Sequence, residues 1–335
     1  MSDFRHRLER FLVQKKQSSE ISQLTPDASV REYFRINWNG AAAIACVYPE
    51  SFVEHEQTYL DVTNLFRKAG LPVAEIYDFD EKLGVIILED FGNTILRDVL
   101  LDSDQSEREN LLNEAIKLIA KIQAATPLAF ELGSIASRLK FDEEKLLWEL
   151  NYFKEHYFTS LKKQPLSVDE DKKLNDELMN IVRQLESSAK VLTHRDFHAA
   201  NLMLDENRNL RIIDHQDARI GAASYDLVSI LLDRVTIPPS PEWLSEKRAF
   251  FLSEREKCGL EKISEAEFTR EFRLQTIQRC LKAIGTFSFQ STFRNKIHFL
   301  PFIKPMFEIV LRAAQKLNDF PTLQKIIGEQ IDEKS

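Results

Sequence analysis

Val191-Leu-Thr-His-Arg-Asp-Phe-His-Ala-Ala-Asn-Leu-Met-Leu204 leads through a turn-rich Asp205-Glu-Asn-Arg-Asn209 into Leu210-Arg-Ile-Ile-Asp-His-Gln-Asp217. Between apolar runs, these segments concentrate acids, an amide and three of the seven histidines. Polar residues bounded in this way belong to a loop held by short strands. Lys190–Thr193, Asn201–Leu204 and Leu210–Ile213 read as β-like runs. Asp196 then emerges from the first, Asn201 begins the second and Asp214 ends the third, and a hairpin is expected to bring all three to one end. Phosphoryl transfer needs these residue types: one carboxylate to orient a hydroxyl and accept its proton, and an amide and a second carboxylate as hard oxygen ligands for Mg²⁺ on the phosphates of ATP.

Outward from this element the chain has two characters. From Ile21 to Leu88 it reads as strands with one inserted helix, and Asn39-Gly40 between Arg31–Trp38 and Ala41–Tyr48 marks a tight hairpin. Pro49–Ala69 carries Phe52, Tyr59, Leu60, Thr63 and Phe66 on one helical stripe and ends at Gly70, with Glu56 on the same stripe. Val73–Phe79 and Val85–Leu88 make a further strand pair. Beyond Leu88, long amphipathic helices dominate, among them Glu107–Gln123, Asp142–Tyr157 and Asp169–Ser187. The expected class is α+β and two-lobed: residues 1–90 as a small mixed lobe, residues 91–335 as a mainly helical one, and Glu89–Asn93 as the hinge.

Composition excludes several functions. With 335 residues, 43% hydrophobic and 29% charged, the chain can bury a core in each lobe. A net charge of -8 disfavours nucleic acid or an anionic membrane surface as partner. Cys46, Cys258 and Cys280 are odd in number and widely spaced, which fits a reducing compartment and neither a disulfide framework nor a metal site. No stretch reaches a membrane span, and the basic amphipathic segment Met1–Gln17 reads as a helix packed on the small lobe. A cytoplasmic monomer acting on a small molecule is expected.

His194-Arg-Asp-Phe-His-Ala-Ala-Asn201 resembles the catalytic loop of aminoglycoside and choline kinases, and Ile212-Ile-Asp-His-Gln-Asp217 resembles their metal-binding strand end. Gly221-Ala-Ala-Ser-Tyr-Asp-Leu227 continues the likeness. The resemblance implies a protein-kinase-like fold with Asp196 as catalytic base, Asn201 and Asp214 holding metal, and Asp226 bracing the catalytic loop; His194 reads as a structural support of that loop. Val85-Ile-Ile-Leu-Glu-Asp-Phe-Gly92 is similar to the segment that meets the adenine edge, which makes Leu88, Glu89 and Asp90 nucleotide-site candidates. Leu24–Ile36, with Ser29 and Arg31, would cover the phosphates. That segment and Gln278-Arg-Cys-Leu-Lys-Ala-Ile-Gly-Thr-Phe287 resemble bacterial kinases that phosphorylate the anomeric hydroxyl of N-acetylmuramate and N-acetylglucosamine.

Two departures stand out. No Lys occurs between Lys16 and Lys68, so the phosphate-binding Lys of the third strand is missing, and Glu56 is an inward carboxylate without its usual cation. Arg31 or Arg35, on one face of the preceding strand, is the expected substitute. The covering loop is also poor in glycine. Arg279 and Lys282 read as solvated helix positions, and His215 and Asp217 as structural. Besides an amino-sugar kinase, three activities fit parts of the pattern: an aminoglycoside or other small-alcohol phosphotransferase, a nucleotide-binding pseudokinase, and a metal-dependent hydrolase built on His194-x-Asp196-x-His198.

Overall fold

The computed structural model describes residues 3–24 and 30–332. In chain order the elements are α1 (Asp3–Gln14), β1 (Ile21–Leu24), β2 (Glu32–Trp38), β3 (Ala41–Val47), α2 (Thr58–Lys68), β4 (Ile76–Asp80), β5 (Val85–Glu89) and α3 (Leu96–Asp102). They continue with α4 (Gln105–Ala124), α5 (Thr126–Glu131), α6 (Ile135–Arg138), α7 (Glu143–Lys154), α8 (Val168–Ser188), β6 (Val191–Thr193), β7 (Leu202–Leu204), β8 (Leu210–Ile212) and β9 (Arg219–Gly221). Last come α9 (Tyr225–Leu232), α10 (Pro241–Lys257), α11 (Glu265–Phe293), α12 (Ile303–Leu317) and α13 (Pro321–Asp332). Two compact units result. The first contains Met1–Asp104, Leu132–Ile135 and Ala199–Asp217; the second contains Gln105–Glu131, Ala136–His198 and Ala218–Ser335.

In the first unit an antiparallel sheet runs β1-β2-β3-β5-β4. Asn39 and Gly40 both take positive φ, +53° and +88°, and the register pairs Trp38 with Ala41, as a two-residue hairpin turn demands. Side chains alternate across the sheet. Phe34, Ile36, Trp38, Ala43, Ala45, Val85 and Ile87 pack against Leu8, Phe11 and Leu12 of α1, which buries the apolar face of that basic helix. The opposite face, with Cys46, Ile86 and Leu88, meets Tyr59 and Leu60 of α2 and also Met203 and Ile213. The β7–β8 hairpin is tied to this unit through Ile212 N–H to Pro72 O at 2.8 Å and Leu204 N–H to Thr94 O at 2.9 Å. Its turn forms because Asp205 Oδ1 accepts the N–H groups of Asn207 and Asn209, each at 2.9 Å.

The second unit is helical around α11, which packs along α7, α9 and α12. Gly285 permits the close approach to α7: a Cβ there would lie 2.7 Å from Phe153 Cα. Following α7, the chain continues in a π-helical turn, Glu155–Leu161. β6 pairs with β9, Val191 opposite Gly221, and not with the β7–β8 hairpin. Among the described residues no helix is long and apolar enough to cross a membrane.

Candidate active site

In the first unit the β7–β8 hairpin sets Asn201 beside Asp214. Ile213 N–H donates to Asn201 O at 3.1 Å, and Asn201 Nδ2 donates to Asp214 Oδ2 at 3.4 Å. Gln216 Nε2 donates to Asp214 Oδ1 at 2.9 Å, and Arg31 Nη2 lies 3.4 Å from the same oxygen. Asp214 has a φ of +60°, an unfavourable conformation for a side-chain-bearing residue that persists only where its surroundings fix it. The next residue supplies that fixation. His215 is wholly buried, its Nε2 2.6 Å from Thr63 Oγ1 of α2, and its ring lies between Tyr59 and Phe66 with centroids at 5.0 and 5.3 Å. His215 is therefore a structural pin that aims Asp214.

Arg31 and Arg35 separate in their surroundings. Arg35 places its fork on Asp90, with Nε to Oδ2 at 2.5 Å and Nη2 to Oδ1 at 3.0 Å, and also donates to Gly92 O and Asn93 Oδ1. Arg31 lies over the rings of Tyr33 and Tyr48, 5.7 Å from each centroid, beside Asp214. Leu88 is buried in the sheet. Glu89 accepts from Arg211 Nη2 at 2.9 Å and from Glu75 N–H at 3.1 Å, and Asp90 Oδ1 accepts from Gly92 N–H at 2.9 Å. The Glu89 and Asp90 side chains thus brace their own segment. Ser29 lies outside the described residues.

Glu56 does not occupy its expected place. The Gln57 side chain accepts Tyr59 N–H at 3.2 Å and caps α2, so the helix begins at Thr58 and residues 54–56 form a separate 3₁₀ turn. The Glu56 side chain is 73% exposed and its nearest ionic partner is His55 at 3.9 Å, so it is not an inward carboxylate.

In the second unit the loop after β6 carries Asp196. Asp226, wholly buried at the start of α9, accepts His194 N–H at 2.7 Å and Arg195 N–H at 3.0 Å on separate oxygens. This grip coincides with a φ of +86° at Arg195, so the carboxylate holds the loop in a conformation the bare backbone disfavours. His194 is fully buried, edge-on to Phe197, as a structural support would be. His198 donates its N–H to Asp196 O at 3.0 Å, and burial lowers the pKa of its ring.

Asp196 is surrounded by cations. Lys282 Nζ lies 3.6 Å, Arg195 Nε 3.7 Å and Arg279 Nη1 4.0 Å from its oxygens. Burial pushes the carboxyl pKa up, but Lys282, Arg195 and Arg279 together outweigh it and hold Asp196 well below the usual carboxylate range. Burial lowers the Lys282 pKa, opposed by Glu149. Arg279 is set by Tyr225: Nη1 to the hydroxyl at 3.3 Å, with the guanidinium 5.0 Å from the ring centroid, and Tyr225 itself stacks on Phe141 at 4.1 Å. Both cations were expected on a solvated helix face, and both point inward. α11 is buried on so many sides that its sequence carries no amphipathic stripe, and the partners Glu149 and Asp196 are remote in sequence. The one local signal was the likeness of Gln278–Phe287 to the sugar kinases.

The structure thus groups Asn201, Asp214 and Arg31 in one unit and His194, Asp196 and Asp226 in the other, with five residues of chain leading from Asp196 to Asn201. An amide and a carboxylate side by side could supply hard oxygens to magnesium, an ion that completes its shell with water and phosphate oxygens, once Asn201 turns its Oδ1 rather than its Nδ2 towards the Asp214 carboxylate. Among the described residues no group of three or more His, Cys, Asp or Glu side chains is placed to hold a metal ion, so His194-x-Asp196-x-His198 is not a protein-built cage of the zinc-hydrolase type.

Residues 20–260 match the model of the phosphotransferase enzyme family. The chain belongs to that family and is an enzyme that transfers a phosphoryl group to a hydroxyl acceptor. It is 27% identical over 318 residues, 94% of this chain and 92% of the relative, to the N-acetylmuramate/N-acetylglucosamine kinase of Neisseria meningitidis serogroup B. Among solved structures it is similar to a candidate aminoglycoside phosphotransferase from Ralstonia eutropha, at 16% identity and a TM-score of 0.64 over 93% of this chain and 98% of that one. A choline kinase from Streptococcus pneumoniae matches at 12% identity and a TM-score of 0.58, over 95% and 100%. The fold is accordingly the α+β protein-kinase-like fold of those enzymes, as its sequence motifs imply.

Proposed function

We propose that the chain is an ATP-dependent kinase that phosphorylates the anomeric hydroxyl of an amino sugar, N-acetylmuramate or N-acetylglucosamine. The observation that carries this reading is Asp196: an ionised carboxylate on a loop clamped by Asp226, five residues before the Asn201–Asp214 pair. The name of the Neisseria relative, matched over nearly the full length of both chains, supports the acceptor.

In this reading Asp196 Oδ accepts a hydrogen bond from the sugar hydroxyl, orients its oxygen towards the γ-phosphorus and takes the proton as the new sugar O–P bond forms and the bond from the γ-phosphorus to the β–γ bridging oxygen breaks, with ADP leaving. Asn201 and Asp214 would hold Mg²⁺, which would supply positive charge to the phosphate oxygens. Arg31, beside Asp214, provides the phosphate-directed cation in place of the missing Lys, whereas Arg35 fixes the segment Leu88–Asp90 whose backbone receives the adenine. The same chemistry suits other small alcohols; the cationic surroundings of Asp196 disfavour polycationic aminoglycosides as acceptors.

Incubating the purified protein with Mg²⁺-ATP and a panel of amino sugars, aminoglycosides and choline tests this. The expected product is a sugar 1-phosphate with a matching release of ADP. Phosphate on an aminoglycoside or on choline alone would overturn the acceptor, and ADP binding with no transfer to any acceptor would favour the pseudokinase.

A further inference from the structure

In the second unit, α9 is an apolar helix with one polar stripe. Between Asp226 and Asp233 its residues are Leu227, Val228, Ile230, Leu231 and Leu232, with Ser229 as the exception. Asp226, Ser229 and Asp233 recur at the i, i+3, i+7 spacing of a single helix face. Asp226 at one end holds the loop that carries Asp196. Asp233 at the other end caps the helix, its N–H donating to Ser229 O at 3.2 Å.

Ser229 and Asp233 open into one crevice. Arg279 lines it with them, against apolar walls from Leu232, Cys280 and Met306, and its volume is about 10 Å³. That is room for about one hydroxyl-sized group. Arg279 is the wall that the crevice shares with the catalytic loop, since its Nη1 stands 4.0 Å from Asp196 Oδ1. Ser229 is 2% exposed, and its Oγ has no hydrogen-bond partner among the described residues. Buried hydroxyls are ordinarily paired, so this one marks a place where a partner arrives from outside the chain. Asp233 is partly buried; its one ionic contact is Nε of Arg234 at 3.5 Å, and among the described residues neither of its oxygens accepts a hydrogen bond. Burial lowers the His198 pKa and Asp233 is the strongest opposing influence, so the charge of Asp233 reaches the catalytic loop. These lining groups define their occupant. A carboxylate only accepts, an arginine only donates and a serine does either. An ammonium cannot answer Arg279 and an anion is repelled by Asp233, whereas a hydroxyl donates and accepts.

We propose that Ser229 and Asp233 select the acceptor through a second hydroxyl, one that donates to Asp233 and accepts from Ser229 Oγ while the reacting hydroxyl meets Asp196. This selection rests on the amino-sugar kinase reading and adds the residues that distinguish a polyhydroxylated ring from an alcohol with one hydroxyl, such as choline.

For the full chain, wild type, Asp233→Ala and Ser229→Ala, kcat/KM is measured on the better of the two candidate sugars and on analogues of that sugar that each lack one hydroxyl other than the anomeric one. Wild type should lose about 10- to 100-fold on one analogue relative to the intact sugar, chiefly through KM. Asp233→Ala should shrink the penalty on that same analogue to within about 3-fold, and Ser229→Ala should shrink it by at least about 3-fold, because a partner of the missing hydroxyl is already gone. The ratio of kcat/KM on two sugars does not depend on how much of a sample is folded, so a destabilised variant still reports. A wild-type penalty under about 3-fold on every analogue overturns the proposal without any variant, as does a penalty that either variant retains in full. If wild type phosphorylates neither sugar, the amino-sugar reading fails and takes this selection with it, whereas unchanged penalties sink the selection alone.

Discussion

Asp226→Asn replaces one carboxylate oxygen with an NH₂ group in a site that contains no room for a second donor. The wild-type side chain is fully buried and receives N–H groups on both oxygens, from His194 at 2.7 Å and Arg195 at 3.0 Å. Burial raises its pKa, yet two donors aimed at separate oxygens favour the ionised form. The amide keeps one acceptor and turns a donor against a backbone N–H. Each hydrogen bond to a charged group contributes about 1.5–3 kcal/mol, and a buried donor left unpaired costs about 1–3 kcal/mol. Opposing the bonds is the strain of φ +86° at Arg195, of order 1–3 kcal/mol, which they now outweigh and which the variant is free to relieve. The net expectation is a loss of about 2–4 kcal/mol, read as a lower urea midpoint by circular dichroism. Because relaxation of Arg195 moves its neighbour Asp196, kcat should fall by at least about 30-fold while KM for ATP stays within about 3-fold. With two units in the chain, the transition should be followed with a second probe before it is treated as two-state. An unchanged midpoint with kcat within about twofold of wild type would show that Asp226 does not hold the loop as an anion.

Arg35→Ala removes the fork on Asp90, Gly92 and Asn93, and should raise KM for ATP by about 3- to 10-fold in steady-state assays without altering KM for the acceptor. Arg31→Ala should weaken ADP binding by about 10-fold in calorimetry; unchanged affinity would remove Arg31 from the phosphate site. The depressed pKa of Asp196 gives its pH dependence a definite sign. Its ionisation stabilises the folded state above the ordinary carboxylate value of about 3.9, and that contribution is lost as pH falls through the still lower folded value. Between about pH 5 and 8 the kcat/KM profile should therefore show no acid limb belonging to Asp196, and a limb near pH 6–7 that moves in Asp196→Glu would contradict the cation cluster.

The parts legible in sequence are those whose physics is local. Asn39-Gly40 announced a hairpin because few residue pairs take two successive positive φ values, and the Asp205–Asn209 turn followed from an Asp that accepts from its own backbone. Asp196, Asn201 and Asp214 stood out because acids and amides between apolar runs have few structural uses. Glu56 misled because a helical stripe does not specify where the helix starts: Gln57 caps it more than two turns after the expected start at Pro49 and leaves Glu56 in water. Arg279 and Lys282 were unreadable for the opposite reason, since only folding brings Glu149 and Asp196 to α11. The pairing of β6 with β9 was likewise decided by long-range contact, not by the three-residue strand itself.

Asp196→Asn gives the most direct measurement, made on one protein sample by two readouts: ADP affinity by calorimetry and sugar 1-phosphate formation by phosphorus NMR. If the Asp196 carboxylate takes the hydroxyl proton, the variant should bind ADP within about twofold of wild type and lose at least about 10³-fold in turnover. Turnover retained above about a tenth of wild type, or ADP binding lost in proportion to activity, would contradict that role.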